Sequence, residues 1–189
     1  MGFLDVLAGR KRLKEASREQ LFALATAVVT LEVEHGLKPA GRAAVVFKPL
    51  SAGEFVRAEN ELDELLGVVT SSTGARFRRS TDEYGFEWLV FEDPDFEDLV
   101  NAIHVVGEEL QSRGFGPQLL AAIFRFEGQE HPVYWIYGYK RGAFWPFVPT
   151  GKDQERDNAE ELELKAKLEN ELPIEQDISR WFALFGAPL

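Results

Sequence analysis

Residues Leu119–Phe147 read LLAAIFRFEGQEHPVYWIYGYKRGAFWPF, and the reading of this stretch decides the fold. Two apolar, aromatic runs, Leu119–Phe126 and Pro132–Tyr139, flank the polar turn Glu127-Gly128-Gln129-Glu130-His131. Short β-rich runs on either side of a Gly-containing turn spell an antiparallel hairpin. Beyond the Arg141-Gly142 turn, Ala143–Val148 reads as a further extended piece.

Working upstream, Asp93-Pro94-Asp95 opens the clearest helix. Its stripe is Phe96, Leu99, Val100, Ile103, Val106 and Leu110, with His104 beside it and Gly114 as the stop. Arg76–Ser80 and Phe86–Phe91 read as a second hairpin around Thr81–Gly85. Ser51-Ala52-Gly53-Glu54 is a capping box, followed by Phe55, Ala58, Leu62, Leu65 and Leu66 at helical spacing up to Gly67. Before it, Val28–Glu34 alternates Val29, Leu31 and Val33 with Thr30, Glu32 and Glu34, which spells a strand. The loop 35–42 returns as a strand at Ala43–Phe47, and a short helix through Leu21–Leu24 leads in from Ser17 and Gln20.

Downstream, Asp153 to about Leu172 is helical by propensity, with Leu164, Leu168 and Leu172 four apart. Past Pro173, a turn carries Asp177–Phe182 into an apolar tail, where Arg180 and Trp181 can anchor it to the body. Helices interleaved with hairpins define an α+β fold: a mostly antiparallel sheet built from hairpins and covered by helices. Residues 17–189 form one domain, behind an N-terminal segment, residues 1–16, that is apolar and then basic.

Composition narrows the function. A formal charge of −11 with no concentrated basic patch past the first residues repels nucleic-acid phosphates. The absence of Cys removes disulfides, thiolate nucleophiles and Cys-ligated zinc, and fits a reducing compartment. No stretch approaches the roughly 18 apolar residues of a membrane span, and Met1–Leu7 is too short for a signal-peptide core. A cytoplasmic address is expected. Phe3, Leu4 and Leu7, followed by Arg10, Lys11, Arg12 and Lys14, suit either weak contact with an anionic membrane face or a docked terminus.

Catalytic motifs are missing. His35, His104 and His131 form no helical pair and no zinc spacing. There is no nucleophile elbow, no Walker loop and no dinucleotide fingerprint, so no cofactor is expected. Adjacent acids such as Glu92-Asp93 and Glu160-Glu161 are what 32 acidic residues produce by chance.

Two constellations remain. Tyr137–Phe147 packs aromatics, Lys140 and Arg141 into one turn, the mixture enriched in protein-binding surfaces; equally, alternate rings would fill a core while the cations mark a solvated turn. Arg156-Asp157-Asn158 heads a segment with ten acids against three bases between Asp153 and Asp177. An acidic helix with a Leu stripe can receive a basic helical partner, or simply turn a solvated face outward. The same stripe would also serve a homo-oligomer.

The ordered set of Met1–Leu7, Phe47-Lys48-Pro49, Asp82–Gly85, Gly114–Pro117, Tyr139–Gly142, Trp145-Pro146-Phe147, Arg156–Ala159, Ser179–Phe182 and Gly186-Ala187-Pro188 resembles the PspA-associated protein PspAB family, found in bacteria and archaea beside the phage-shock protein PspA. The resemblance implies a cytoplasmic accessory factor of envelope stress, whose partner is a PspA-like coiled-coil protein at the inner membrane face. It brings no catalytic residue. The order of helices and hairpins is also similar to that of secretion-chaperone-like proteins. The expected activity is therefore non-catalytic binding, with Lys140, Arg141, Trp145, Phe147, Arg156 and Asp157 as contact residues. The alternative is an enzyme or small-ligand binder with a cleft near 137–147.

Overall fold

In a computed structural model of the chain, six strands among the described residues, β1 (Lys38–Phe47), β2 (Arg76–Thr81), β3 (Glu87–Glu92), β4 (Leu119–Glu127), β5 (Pro132–Gly138) and β6 (Ala143–Phe147), pair antiparallel into one sheet in the order β2-β3-β1-β4-β5-β6. Residues 20–48, 74–151 and 154–189 are described, with Gly53, Glu64, Leu66 and Gly67. The expected helix over 51–67 lies mostly outside them; those four residues are helical, and Leu66 is buried. The segment 1–16, with Phe3, Leu4 and Leu7, also lies outside the described residues.

The first described element corrects the sequence reading. Residues 20–35 form one helix, α1, so Val28–Glu34 is its second half and not a strand. Leu21, Leu24, Ala27 and Leu31 recur at helical spacing and are buried, and this stripe overrides the β-branched preference of three valines. The alternation of Val29, Leu31 and Val33 is coincidental: Leu31 is buried, whereas Val29 and Val33 stand exposed.

β1 (Lys38–Phe47) starts five residues before the expected Ala43, with a shift in register between Pro39 and Arg42 where Gly41 takes a positive φ. A Cβ at Gly41 would meet the Asp93 carbonyl at 3.0 Å, so this bend needs glycine. The hairpin β2 (Arg76–Thr81) and β3 (Glu87–Glu92) matches expectation. So do α2 (Phe96–Ser112), β4 (Leu119–Glu127), β5 (Pro132–Gly138) and β6 (Ala143–Phe147). The Asp95 carboxylate caps α2 by accepting from the N–H groups of Glu97 and Asp98, and the whole expected apolar stripe is buried.

One face of the sheet carries Ala43, Phe91, Phe124, Phe126 and Trp135, with α2 packed over it: Phe96 meets Phe124 and Phe126 edge-on at 5.9 and 5.3 Å. The Phe22 ring of α1 stands edge-on to His104 of α2. The opposite face carries Tyr134, Trp145 and Phe147, on which Phe182 and Phe185 of the tail pack.

The last helix, α3 (Asn158–Leu168), is shorter than the expected 153–172 and begins at its cap, Asp157. Leu164, Leu168 and Leu172 are all buried against the rest of the chain. The stripe considered for self-association therefore belongs to the core.

Candidate functional site

The β5–β6 turn lifts Lys140 and Arg141 into solvent because Tyr139, just before them, is anchored in the core. The N–H groups of Arg141 and Gly142 both donate to the Gly138 carbonyl, and Gly142 takes the positive φ that closes the turn. The Arg141 guanidinium then reaches Glu175 at 3.0 Å.

Glu175 is held by the sheet itself. Residues 173–175 lie parallel against the outer side of β6: the Phe144 N–H donates to the Pro173 carbonyl and the Glu175 N–H to the Phe144 carbonyl. Pro146, two residues on along the same strand, has no N–H to offer, so the pairing stops there.

From this short strand the chain enters a one-turn 3₁₀-helix, Ile178–Arg180, capped by Asp177. The Ser179 hydroxyl and N–H both donate to Asp177, and with the Arg180 and Arg141 guanidiniums they hold its carboxyl below the usual range. Trp181 plugs the turn into the body: its indole N–H donates to the Glu175 carbonyl, and its own carbonyl accepts from Arg156 at 3.1 Å.

The outcome is a platform whose top is apolar, with two arginines each paired to a carboxylate: Arg141 to Glu175 and Arg180 to Asp177 at 2.8 Å. Ile178 is 55% exposed and Phe182 64%, beside Arg180 and Arg141. A large exposed ring next to arginine is the composition of an interface anchor. Ile178 and Phe182 were not among the contact residues read from sequence. Phe182 directly follows the buried Trp181, which was a signal that it turns away from the inward side; nothing in the sequence marked Ile178, three residues before it.

The expected contact residues divide. Lys140 and Arg141 face solvent as anticipated. Trp145 and Phe147 do not: they are 4% and 1% exposed, because their strand is sandwiched between β5 and the tail. Trp145 supports the platform from beneath, with its indole N–H donating to the Phe182 carbonyl at 3.1 Å and the two rings 6.4 Å apart. Phe147 lies under Phe185 and under the Arg156 guanidinium, 5.2 Å from the ring centre.

Arg156 and Asp157 are likewise engaged within the fold. Arg156 binds Glu161 through Nε at 2.8 Å and Nη2 at 2.7 Å, and the Val148 N–H donates to the same carboxylate. Burial pushes the Glu161 carboxyl up, against the pull of these donors. Asp157 caps α3 by accepting from Ala159 and Glu160.

A hollow of about 260 Å³ lies beside Tyr134, Phe147, Pro149, Leu184 and Phe185. Of the stretch 137–147 Phe147 lines it, whereas Tyr139, Lys140 and Arg141 do not. Among the described residues no group of three or more His, Asp or Glu converges as metal ligands would. No helix among them is long and apolar enough to cross a membrane.

The six-stranded antiparallel sheet and its helices thus define an α+β protein. The family model for PspA associated protein B matches residues 1–189, and the chain belongs to that family. No curated protein and no solved structure matches it, so the likeness to secretion chaperones stays one of element order alone.

Proposed function

We propose that this protein is a non-catalytic accessory factor that binds PspA, or a related helical protein, in the envelope-stress response at the inner face of the membrane. The family's description supports the association with PspA. The observation that carries the binding reading is the platform: Ile178 and Phe182 exposed beside a buried Trp181, with Arg180 between them in the chain and Arg141 bonded to Glu175 just before it. A surface of this kind takes an apolar ridge flanked by carboxylates. The guanidiniums of Arg141 and Arg180, already paired to Glu175 and Asp177, still have N–H groups to offer the docked partner, which gives it a register. Phe3, Leu4 and Leu7 add weak affinity for an anionic bilayer beside the docked partner.

Titration of the full chain against purified PspA, monitored by calorimetry, tests the reading. Phe182→Ser combined with Lys140→Glu is expected to weaken binding by at least tenfold, about 1.4 kcal/mol, with a melting temperature within the range of ordinary surface changes. Equal affinity for the double variant, or for Lys140→Glu with Arg141→Glu, would remove this surface. No binding by the wild-type chain would remove the partner.

A further inference from the structure

Helix α1 carries an inner and an outer stripe, and among the described residues only the inner one is covered. Leu21, Leu24, Ala27 and Leu31 face the core. Thr26, Val29 and Val33 lie within about 60° of one another on the helix surface and about 180° from that buried stripe, at 100° per residue. Val29 is 65% exposed and Val33 79%, and Thr26 is exposed with them. All three are β-branched, and Thr26 sets a methyl as well as a hydroxyl in the line. Phe22 falls on the same line one turn earlier but is packed against the core, edge-on to His104, so the uncovered stripe begins at Thr26. The spacing 26, 29, 33 takes one step of three and one of four, a single heptad of a coiled-coil seam.

The flanks of this seam are acidic. Between residues 20 and 35 there is no Lys or Arg, and the charges are Glu32 and Glu34, both exposed, one on each side of the valines. On the Glu34 side, Thr30 donates to the Glu171 carboxylate at 2.9 Å, which brings a third acid beside the helix. A bilayer of anionic lipid and a nucleic acid are repelled by such a border. A second copy of α1 would set glutamate against glutamate along both edges, which disfavours pairing of the seam with itself.

We infer that the outer seam of α1 docks an amphipathic helix of another protein, with an apolar stripe at heptad spacing and Lys or Arg along its edges. The valines supply the knobs, Thr26 admits a close approach, and Glu32, Glu34 and Glu171 select the basic flank. The inference does not rest on the PspA reading, since the platform at Ile178–Phe182 is a different surface, bordered by ion-paired arginines.

The test uses the full chain and three synthetic helical peptides: a Leu-seam heptad peptide with Lys flanks, the same seam with Glu flanks, and a scrambled Lys peptide of equal composition. Binding is followed by fluorescence anisotropy at physiological salt. The Lys-flanked peptide is expected to bind at least tenfold tighter than the other two, and Val29→Asp/Val33→Asp to lose at least tenfold. Those aspartates add attraction for a basic peptide, so the loss reports the seam and not bulk charge. Glu32→Lys/Glu34→Lys is expected to reverse the preference towards the Glu-flanked peptide. Equal binding of the scrambled peptide, or of the Val29→Asp/Val33→Asp chain, would overturn the proposal. So would a wild-type dimer in sedimentation that Val33→Asp dissolves, because the occupant would then be a second copy. Unfolding of the chain by Val29→Asp/Val33→Asp would overturn it too, since the seam would then be covered by the chain itself.

Discussion

Gly107 on α2 and Tyr139 at the end of β5 fit only because one of them has no side chain: a Cβ at 107 would stand 2.6 Å from the Tyr139 hydroxyl and 2.9 Å from its ring. A mid-helix glycine ordinarily weakens its helix by about 1 kcal/mol against alanine. Here the hydroxyl end of the ring is enclosed, and Tyr137 stands edge-on to it at 5.5 Å, so the ring cannot swing aside. Gly107→Ala is therefore expected to destabilise the protein by about 1–3 kcal/mol despite the better helix propensity. Adding Tyr139→Ala should recover part of that loss, a coupling that urea denaturation of the four-member cycle measures. Additive effects would show that the two residues do not share the space.

The same tyrosine sets an alkaline limit. Burial, helped by neighbouring Tyr137, pushes its phenol far above the ordinary value of 10.0. Its hydroxyl has no hydrogen-bond partner among the described residues. Folded, it keeps its proton where the unfolded chain has lost it. The stabilisation is complete below about pH 10 and is lost as pH rises above it. Melting temperature measured from about pH 8 to about pH 11.5 should therefore fall steeply past the ordinary tyrosine range, and Tyr139→Phe should flatten that fall while leaving neutral-pH stability equal or higher. A slope unchanged by the substitution would reject this assignment.

Arg156 and Glu161 form a buried pair that also fixes Val148 and Trp181. Removing one partner leaves a charge without its counter-ion, so Arg156→Met is expected to lose about 3–5 kcal/mol. Arg156→Met/Glu161→Leu should lose less than the single change, because two apolar side chains replace two charges of similar volume. Thermal melts of the three variants decide it: a double variant worse than Arg156→Met would mean that the pair contributes through geometry and not through charge compensation.

The platform and its support should separate by stability. Phe182→Ser removes a ring that is already 64% exposed, and its melting temperature should stay within the range of ordinary surface changes, about 0.5 kcal/mol. Trp145→Ala empties a buried site beneath it and should lose about 3–5 kcal/mol. Comparable losses from the two would place Phe182 in the core.

How much of this was legible beforehand differs by element. The hairpins and α2 were readable because local chemistry and tertiary need agree: the Asp95 cap, the apolar stripe and the Gly114 stop each say the same thing. The facing of the β6 rings was not readable. Phe144, Trp145, Pro146 and Phe147 are successive residues, and a strand sends alternate ones to opposite faces. Both faces here are covered, one by the helices and one by the tail, and nothing within the run announces the second cover. Reading Trp145 and Phe147 as outward required an uncovered face that the residues around Phe182 and Phe185 remove. The platform itself was hidden in a tail with no periodicity, where position is set by the Trp181 plug and the pairing to Phe144.

α1 is the sharpest case, and it carries the last prediction. In Val28–Glu34 a period of two and a period of 3.6 fit the same letters, and only Leu21 and Leu24 upstream decide between them. The two readings differ in what each side chain should contribute. As a strand, Val29, Leu31 and Val33 would share one face, so truncating any of them would have a similar effect. As a helix, Leu31 alone of the three is buried, and Leu31→Ala should destabilise by about 2–5 kcal/mol. Val33→Ala should change stability by less than about 0.5 kcal/mol, or raise it slightly, since alanine is the better helix former at an exposed position. Urea midpoints of the two variants check the contrast, and matching losses would return Val28–Glu34 to a sheet.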